Sequence, residues 1–417
     1  MTRDTADVDH ALAGFYAGER VAVLAALIRN ARGDFDAAED ALAEAAVRAV
    51  KHWRAGGVPE RPGAWMLTVA RRIMLDRARA NATWAPGDFE DDSHAAPADV
   101  DRADVTEVPD DRLALLFTCC HPALSHLAQL SLALRTIGGL TTREIARALL
   151  EPEATTAQRL VRTRRKIRDA RIPFRVPDPG ELSARMDVAR ETLYLVFNEG
   201  YSATAGDTFL RDGLSNEAIR LARLLAALEP RDAESLGLLS LMLLHGARAA
   251  SRVDASGAII PLEEQDRSRW NAKQIREGER ILDRAIALRA SGPYQIQAAI
   301  AALHATAPSA AETDWRQIAL LYGTLRFMLP TPVVELNAAV ALAMVHGPDW
   351  GLMQLEALES ERGMREYHLL PAARADLLRR AGRFEDAANA YRQAHAMSRS
   401  EAERKYMERR LREMTAG

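Results

Sequence analysis

Cys119, Cys120 and His121 stand side by side in the stretch FTCCHPALS, residues 117–125, and His126 follows shortly after. Thiols and imidazoles in such a row raise two chemistries, zinc coordination and thiol redox exchange. Neither fits the spacing. Adjacent residues on a helix point in divergent directions, the two histidines lie at and beyond the break made by Pro122, and a tetrahedral site needs four converging ligands. The cysteines are expected to pack as small hydrophobes. A second cluster, Glu263, Glu264 and Asp266 beside Arg267 and Arg269, has carboxylates enough for acid–base work. No nucleophile–base pair and no His–Glu metal spacing accompanies it. The chain is therefore read as a non-enzyme, with no metal and no cofactor.

The third constellation is cationic. Between Thr155 and Arg171 seven bases (Arg159, Arg162, Arg164, Arg165, Lys166, Arg168 and Arg171) face a single acid, Asp169. Such a helix can attract phosphates and hydrogen-bond base edges. The element that must position these side chains is legible in GGLTTREIARALLEPEATTAQRLVRTRRKIRDA. Thr141 with Glu144 fits a capping box that starts one helix, Thr155 with Gln158 fits another that starts a second, and Glu151-Pro152 interrupts the chain between them. Leu160 and Ile167 can face a core, while Gln158, Arg159, Arg162, Arg165 and Lys166 spread over the remaining surface. A helix-turn-helix recognition helix needs this build, with short polar and Arg side chains near its N-terminus for bases and further cations for phosphates.

Composition sets the frame for these elements. At roughly 100–200 residues per domain, 417 residues make about two to four domains. Apolar residues at 48% and charged residues at 27% mark a globular chain rather than a disordered one. Apolar runs such as Leu238 to Leu244 fall far short of the ~20 residues of a membrane span. The opening MTRDTADVDH carries charge and no apolar core, and two cysteines cannot build a disulfide framework. A cytoplasmic protein without membrane contact is expected. Period-two alternation is almost absent and apolar spacings of three and four recur, so the fold class is all-α. Helices are expected near 8–30, 35–54, 63–81, 111–119, 123–137, 141–150 and 155–171, then in a long series from 181 to 412. Between Gly87 and Asp111 ten acids stand against Arg102 alone, with prolines among them, which reads as a solvated tether. IPFRVPDPGE, 172–181, holds three prolines and makes a second break. The expected units are 1–85, an acidic linker at 86–109, 110–172 and 181–417.

In the first unit, GDFDAAEDALAEAAVRAVKHW is an amphipathic helix with Asp36, Glu39, Asp40 and Glu44 on its polar side and Val47, Val50 and Trp53 at core spacing. RAGGVPERPG joins it to AWMLTVARRIMLDRARA, where Met66, Val69 and Ile73 form an apolar stripe and Arg71, Arg72, Arg77 and Arg79 a basic face. With these blocks in this order, the sequence resembles the extracytoplasmic-function sigma factors of bacterial RNA polymerase. DAAEDALAEAAVRAVKHW is similar to their sigma-2 segment that docks on core polymerase, PGAWMLTVARRIMLDRARA to the helix that reads the −10 promoter element, and residues 139–170 to the sigma-4 helix-turn-helix that reads the −35 element. The resemblance implies a sigma-2 domain at 1–85 and a sigma-4 domain at 110–172. It implies core RNA polymerase binding through Asp36, Glu39, Asp40 and Glu44 on the clamp helices of the β′ subunit, with a further contact at the β flap. It implies −10 contacts from Arg71, Arg72, Arg77 and Arg79, and −35 contacts from Thr155, Thr156, Gln158, Arg159, Arg162, Arg165 and Lys166. The loop Gly56 to Arg61 would then trap a base flipped from the opened promoter strand. Two features depart from the family pattern: Arg72 stands where many members carry Asn, and the turn LLEPEAT is longer than usual.

Residues 181–417 exceed a minimal sigma factor. QAAIAALHA from Gln297, NAAVALAMV from Asn337 and AARADLLRR from Ala372 recur at a spacing near that of tetratricopeptide repeats. The last continues as AGRFEDAANAYRQAHAM, and Ala373, Leu377, Gly382, Ala387, Tyr391 and Ala394 fall at offsets that let two helices approach closely. The arrangement resembles the sigma-factor subgroup with a C-terminal tetratricopeptide-like (TPR-like) extension, in which LYLVFNEGYSAT and LEEQDRSRW also have counterparts. A regulatory module for a protein or peptide ligand is implied, a helical bundle that merely stabilises being the other reading. NEGYSATAGDTF lacks the glycine spacing of a phosphate loop and is expected to connect two helices. Truncation after Asp178 is expected to alter transcription while 8–172 stays folded. The alternative to a sigma factor is a helix-turn-helix transcription regulator with a TPR-like partner-binding domain, and binding to core polymerase separates the two.

Overall fold

The computed structural model describes residues 2–82, 109–149, 151–201, 211–361 and 363–415. Apart from Pro109, the expected acidic linker at 86–109 lies outside the described residues, as does most of NEGYSATAGDTF. Among the described residues the regular elements are nineteen α-helices and short 3-10 turns, with one isolated bridge between Val253 and Ile259. The fold is all-α. The chain forms two compact units, Met1–Val196 and Phe197–Gly417.

The first unit opens with α1 (Thr2–Gly18) and α2 (Arg20–Asn30), where one helix over 8–30 is expected. The chain breaks at Glu19 and bends by 67°, which lets Phe15 as well as Val23, Leu24, Leu27 and Ile28 reach the core. Next come α3 (Phe35–Gly56) and α4 (Pro62–Ala82). Asp34 caps α3, its carboxylate accepting the Ala37 N–H at 3.1 Å. Proline is tolerated at the head of α4, where its missing N–H would be unpaired anyway. The buried stripe of α3 is Ala38, Ala41, Leu42, Ala45, Ala49 and Trp53, whereas Val47 is 57% exposed. Trp53 reaches across to Trp65 of α4, the rings meeting edge to face at 5.4 Å. Close packing selected the small residues of this helix, which periodicity alone ranks below valine.

α5 (Pro109–Cys119), α6 (His126–Thr136), α7 (Thr142–Ala148), α8 (Glu153–Asp169) and α9 (Pro179–Tyr201) follow. α5 is buried on all sides from Arg112 to Cys120. Both thiols are without exposure, and Cys120 Sγ lies 3.9 Å from the Thr192 hydroxyl. Burial pushes the Cys119 thiol well up, with the neighbouring Cys120 adding to it, and pushes Cys120 up to about 12. A thiol reagent at neutral pH is therefore expected to leave both cysteines unmodified in the native chain and to modify both in denaturant; rapid native labelling of either would contradict this packing. The second helix of this half starts after Ser125 rather than near residue 123, because residues 122–124 form a turn. The capping box of Thr141 and Glu144 is present in both directions, and Gly139 before it takes φ +64°, a conformation that favours glycine. α8 starts two residues earlier than expected, at Glu153, with Pro152 as its N-cap and no side-chain cap, so Thr155 lies in the first turn and caps nothing. Leu182, Met186, Ala189, Leu193 and Val196 of α9 are buried, and Arg185 donates to the Phe117 carbonyl at 3.4 Å. The first part of α9 thus completes the core over α5.

The second unit carries the end of α9 and then α10 (Asp212–Leu228), α11 (Ala233–Gly246), α12 (Ala272–Ala287), α13 (Pro293–Thr306), α14 (Trp315–Met328), α15 (Pro332–His346), α16 (Pro348–Leu358), α17 (Leu369–Arg380), α18 (Phe384–Met397) and α19 (Glu401–Thr415). The three Ala-rich segments fall on α13, α15 and α17, every second helix. Ile300, Ile318, Leu325, Val334 and Ala341 join α13 to α15, Leu336, Leu355 and Leu377 join α15 to α17, and Ala375, Tyr391 and Met407 join α17 to α19. Each core cluster thus shares a helix with the next. At Gly237 of α11 a Cβ would stand 2.7 Å from the Gln295 backbone nitrogen, so glycine sets the approach of α13. Among the described residues no single helix is long and apolar enough to cross a membrane.

Candidate nucleic-acid interface

α8 divides its side chains sharply. Thr156, Leu160, Thr163 and Ile167 are buried at helical spacing. Thr155, Gln158, Val161, Arg162, Arg165 and Lys166 are exposed, and Thr155, Gln158, Arg162 and Arg165 recur on one face. Arg165 also makes a loose pair with Asp169 at 3.4 Å, and the Lys166 ammonium donates to the Ala123 carbonyl.

Two residues expected to touch DNA point inward instead. Thr156 has no exposed surface, and its hydroxyl donates to Glu151. Arg159 grips both oxygens of the same carboxylate and donates to the Ser131 hydroxyl of α6 at 3.1 Å. The Arg159 bonds hold the Glu151 carboxyl below its ordinary value, with Thr156 assisting against burial. The turn before α8 explains the difference: it brings Glu151 back over the first turns of α8, where Arg159 and the Thr156 hydroxyl satisfy it.

The acids of α3 are also mostly engaged. Glu44 accepts from Arg48 at 2.5 Å and from Arg77 of α4 at 2.8 Å, and the Arg48 bond holds it below the usual carboxylate range. Asp36 and Glu39 each accept from Arg164 of α8 at 2.7 Å, while Asp40 is exposed. On α4, Arg72 and Arg79 are exposed and Arg71 is half-buried. Burial lowers the Arg71 pKa, Arg29 lowers it further and Asp111 opposes both. The loop expected to trap a base is exposed on both sides of the half-buried Val58 and Pro59, between the end of α3 and Pro62.

Arg164 and Glu151 were not among the expected site residues. Arg164 stands four residues from Leu160 and three from Ile167, beside the buried stripe. A charge there must find an acid, and that placement was the available signal. Burial works against its charge, but Glu39 and Asp36 outweigh it and raise its pKa.

The capping box of α7 precedes the polar, cationic outer face of α8, and the acidic helix α3 is paired through Glu44 to the basic helix α4. Residues 19–83 match sigma-70 region 2, which supports a sigma factor. Residues 185–286 match a family of unknown function, DUF6596, which spans the unit boundary within α9. The chain belongs to one family, almost end to end, with an uncharacterized protein of Rhizobium meliloti (strain 1021), 41% identical over 418 residues that cover 99% of this chain and 97% of that one. No solved structure matches.

Proposed function

We propose that this protein is a bacterial RNA polymerase sigma factor of the extracytoplasmic-function type with a C-terminal regulatory extension. The sigma-70 region 2 match over 19–83 carries this reading, and the exposed face of α8 supports its second half. Core polymerase docks on the acids of α3. Arg72, Arg77 and Arg79 with the half-buried Arg71 follow the −10 strand, and Thr155, Gln158, Arg162, Arg165 and Lys166 meet the −35 element, with Thr156 and Arg159 holding α8 in place. The protein acts in the cytoplasm and performs no chemistry itself. It lends base contacts and phosphate contacts to the polymerase, whose active site makes the bond.

The alternation of Ala-rich helices with partner helices in the second unit supports a TPR-like array, which would present a repeated surface to a protein or peptide. Control in cis is the role proposed for it.

Transcription in vitro with purified core polymerase, on the promoter of the protein's own gene, tests the reading. Specific initiation that depends on the added chain is expected. Failure to initiate together with failure to bind core would leave a helix-turn-helix regulator in its place.

A further inference from the structure

We infer that the arginines of α17 and α19 form a receiving site for an acidic segment of a partner protein, one that sets an apolar residue beside two adjacent carboxylates, and that Glu263 and Glu264 of this chain are its resident occupant. The inference deepens, and rests on, the proposal that the second unit receives a protein or peptide.

The resident lies in a long connection. Loops between helices commonly run about 2–8 residues, and much longer ones usually serve a function, yet α11 and α12 are joined by the whole stretch from Ala247 to Asn271. That stretch folds back across its own unit. Near its middle the Ile259 N–H donates to the Ala402 carbonyl at 3.2 Å, and Lys405 of α19 donates to the Ser256 carbonyl at 2.9 Å. Toward its end Arg267 donates to the His304 and Ala307 carbonyls, at 2.7 and 2.8 Å, where α13 stops. Between these two anchors stands the turn Leu262–Glu264, none of whose residues is buried.

Charge holds that turn. Arg380 donates to one oxygen of Glu263, and Arg379 approaches the other at 3.8 Å. Arg409 donates to one oxygen of Glu264 at 2.8 Å, and Arg410 donates to the other. Four guanidiniums from two helices thus converge on two adjacent carboxylates. The acids of α17 and α19 that also pair with them are Asp376 and Glu413. Four positive charges therefore meet two negative ones from the helices, and the turn supplies the remaining two. Like charges gathered this closely repel, so the site favours an occupant that brings two carboxylates of its own.

The occupant is exchangeable. The Glu263 and Glu264 side chains are 37% and 31% exposed, and ion pairs so exposed are each worth about 0–1 kcal/mol. Beside the turn, a cavity of about 400 Å³ is lined by Leu262, Arg267, Trp315, Met344, Leu377 and Tyr406. Leu262 is itself only half-buried. An apolar side chain that a partner sets next to its acids finds space there that leucine leaves open.

A labelled peptide with the sequence of Ile259–Gln265 is the probe, and the same peptide carrying Glu263→Gln and Glu264→Gln is the control. Full-length chain with those two substitutions is expected to bind the acidic peptide at least about tenfold tighter than the unsubstituted chain, whose own turn competes at an effective concentration on the order of millimolar. Adding Arg380→Met and Arg409→Met should abolish the gain, and the control peptide should show none. In the unsubstituted chain, excess acidic peptide should speed tryptic cleavage after Arg267 and Arg269, a readout that needs no substitution. Equal affinity of the opened and unsubstituted chains, with cleavage unchanged, would overturn the assignment of Glu263 and Glu264 as occupant. Equal binding of the acidic and control peptides would overturn the acidic selectivity and leave a peptide-receiving array. Absence of binding by either peptide to every version would remove the inference together with the receiving role proposed for this face.

Discussion

Cutting the chain after Asp178 is expected to unfold the helix-turn-helix half of the first unit, whereas cutting after Tyr201 is expected to leave it folded. Leu182, Met186, Leu193 and Val196 are 4%, 5%, 0% and 0% exposed. At about 1.5–3 kcal/mol for each large apolar side chain, their loss removes roughly 6–12 kcal/mol, an upper estimate for an extended reference chain. A whole domain is commonly stable by about 5–15 kcal/mol. The shorter cut also strips the cover from Phe117 and Cys120, whose neighbours include Arg185 and Thr192 of α9. Thermal melts of the two truncated chains followed by circular dichroism decide the matter. A cooperative transition in the shorter chain within a few degrees of the longer one would refute the packing argument. The result bears on regulation too. Altered transcription after the cut at 178 would report a damaged helix-turn-helix, so the role of the extension has to be tested with the cut at 201.

The three-proline segment is where the sequence suggests a boundary, and the chain does leave α8 there. Proline reports where a helix stops, however, and not which core the next helix joins. The side chains of α9 that decide this are ordinary Leu, Met and Val at helical spacing, equally suited to either unit. Other elements were legible because their signals are local. The capping box at Thr141 and Glu144 acts within one turn. The candidate interface was legible in part for the same reason: Gln158, Arg162 and Arg165 follow from helical spacing once Leu160 and Ile167 face inward. Thr156 and Arg159 do not, since their partner Glu151 lies across a turn whose path spacing cannot give. Arg164 is harder still. Its partners Asp36 and Glu39 are far away in the chain, and only tertiary packing brings them within hydrogen-bond reach.

Exchanging Arg159 for Ala and Arg162 for Ala is expected to give opposite signatures, although both are arginines of the same basic helix. Arg159 and Glu151 keep only 16% and 13% of their side-chain surface. Removing either leaves a poorly hydrated charge behind, and a loss of about 2–3 kcal/mol is expected, somewhat short of the roughly 3–5 kcal/mol of a fully buried pair. Removing both should cost less than the sum, because no orphan charge remains. The pH dependence has a defined sign. Glu151 titrates below its ordinary value in the folded chain, so its contribution is complete above the unfolded value of about 4.3 and fades as pH falls through the folded one. The Arg159→Ala difference in stability should therefore be constant near neutrality and shrink in acid. DNA binding by this variant should weaken alike on matched and mismatched −35 sequences, through the loosened helix. Arg162 has no such anchor. Its exposed guanidinium can be removed with a stability change within about 0.5 kcal/mol, while affinity for promoter DNA falls and the salt dependence of binding loses about one phosphate equivalent. Urea unfolding of each variant, set beside salt titrations of promoter binding, separates the two roles. Equal destabilisation by both substitutions, or an unchanged salt slope for Arg162→Ala, would mean that α8 meets DNA by another face.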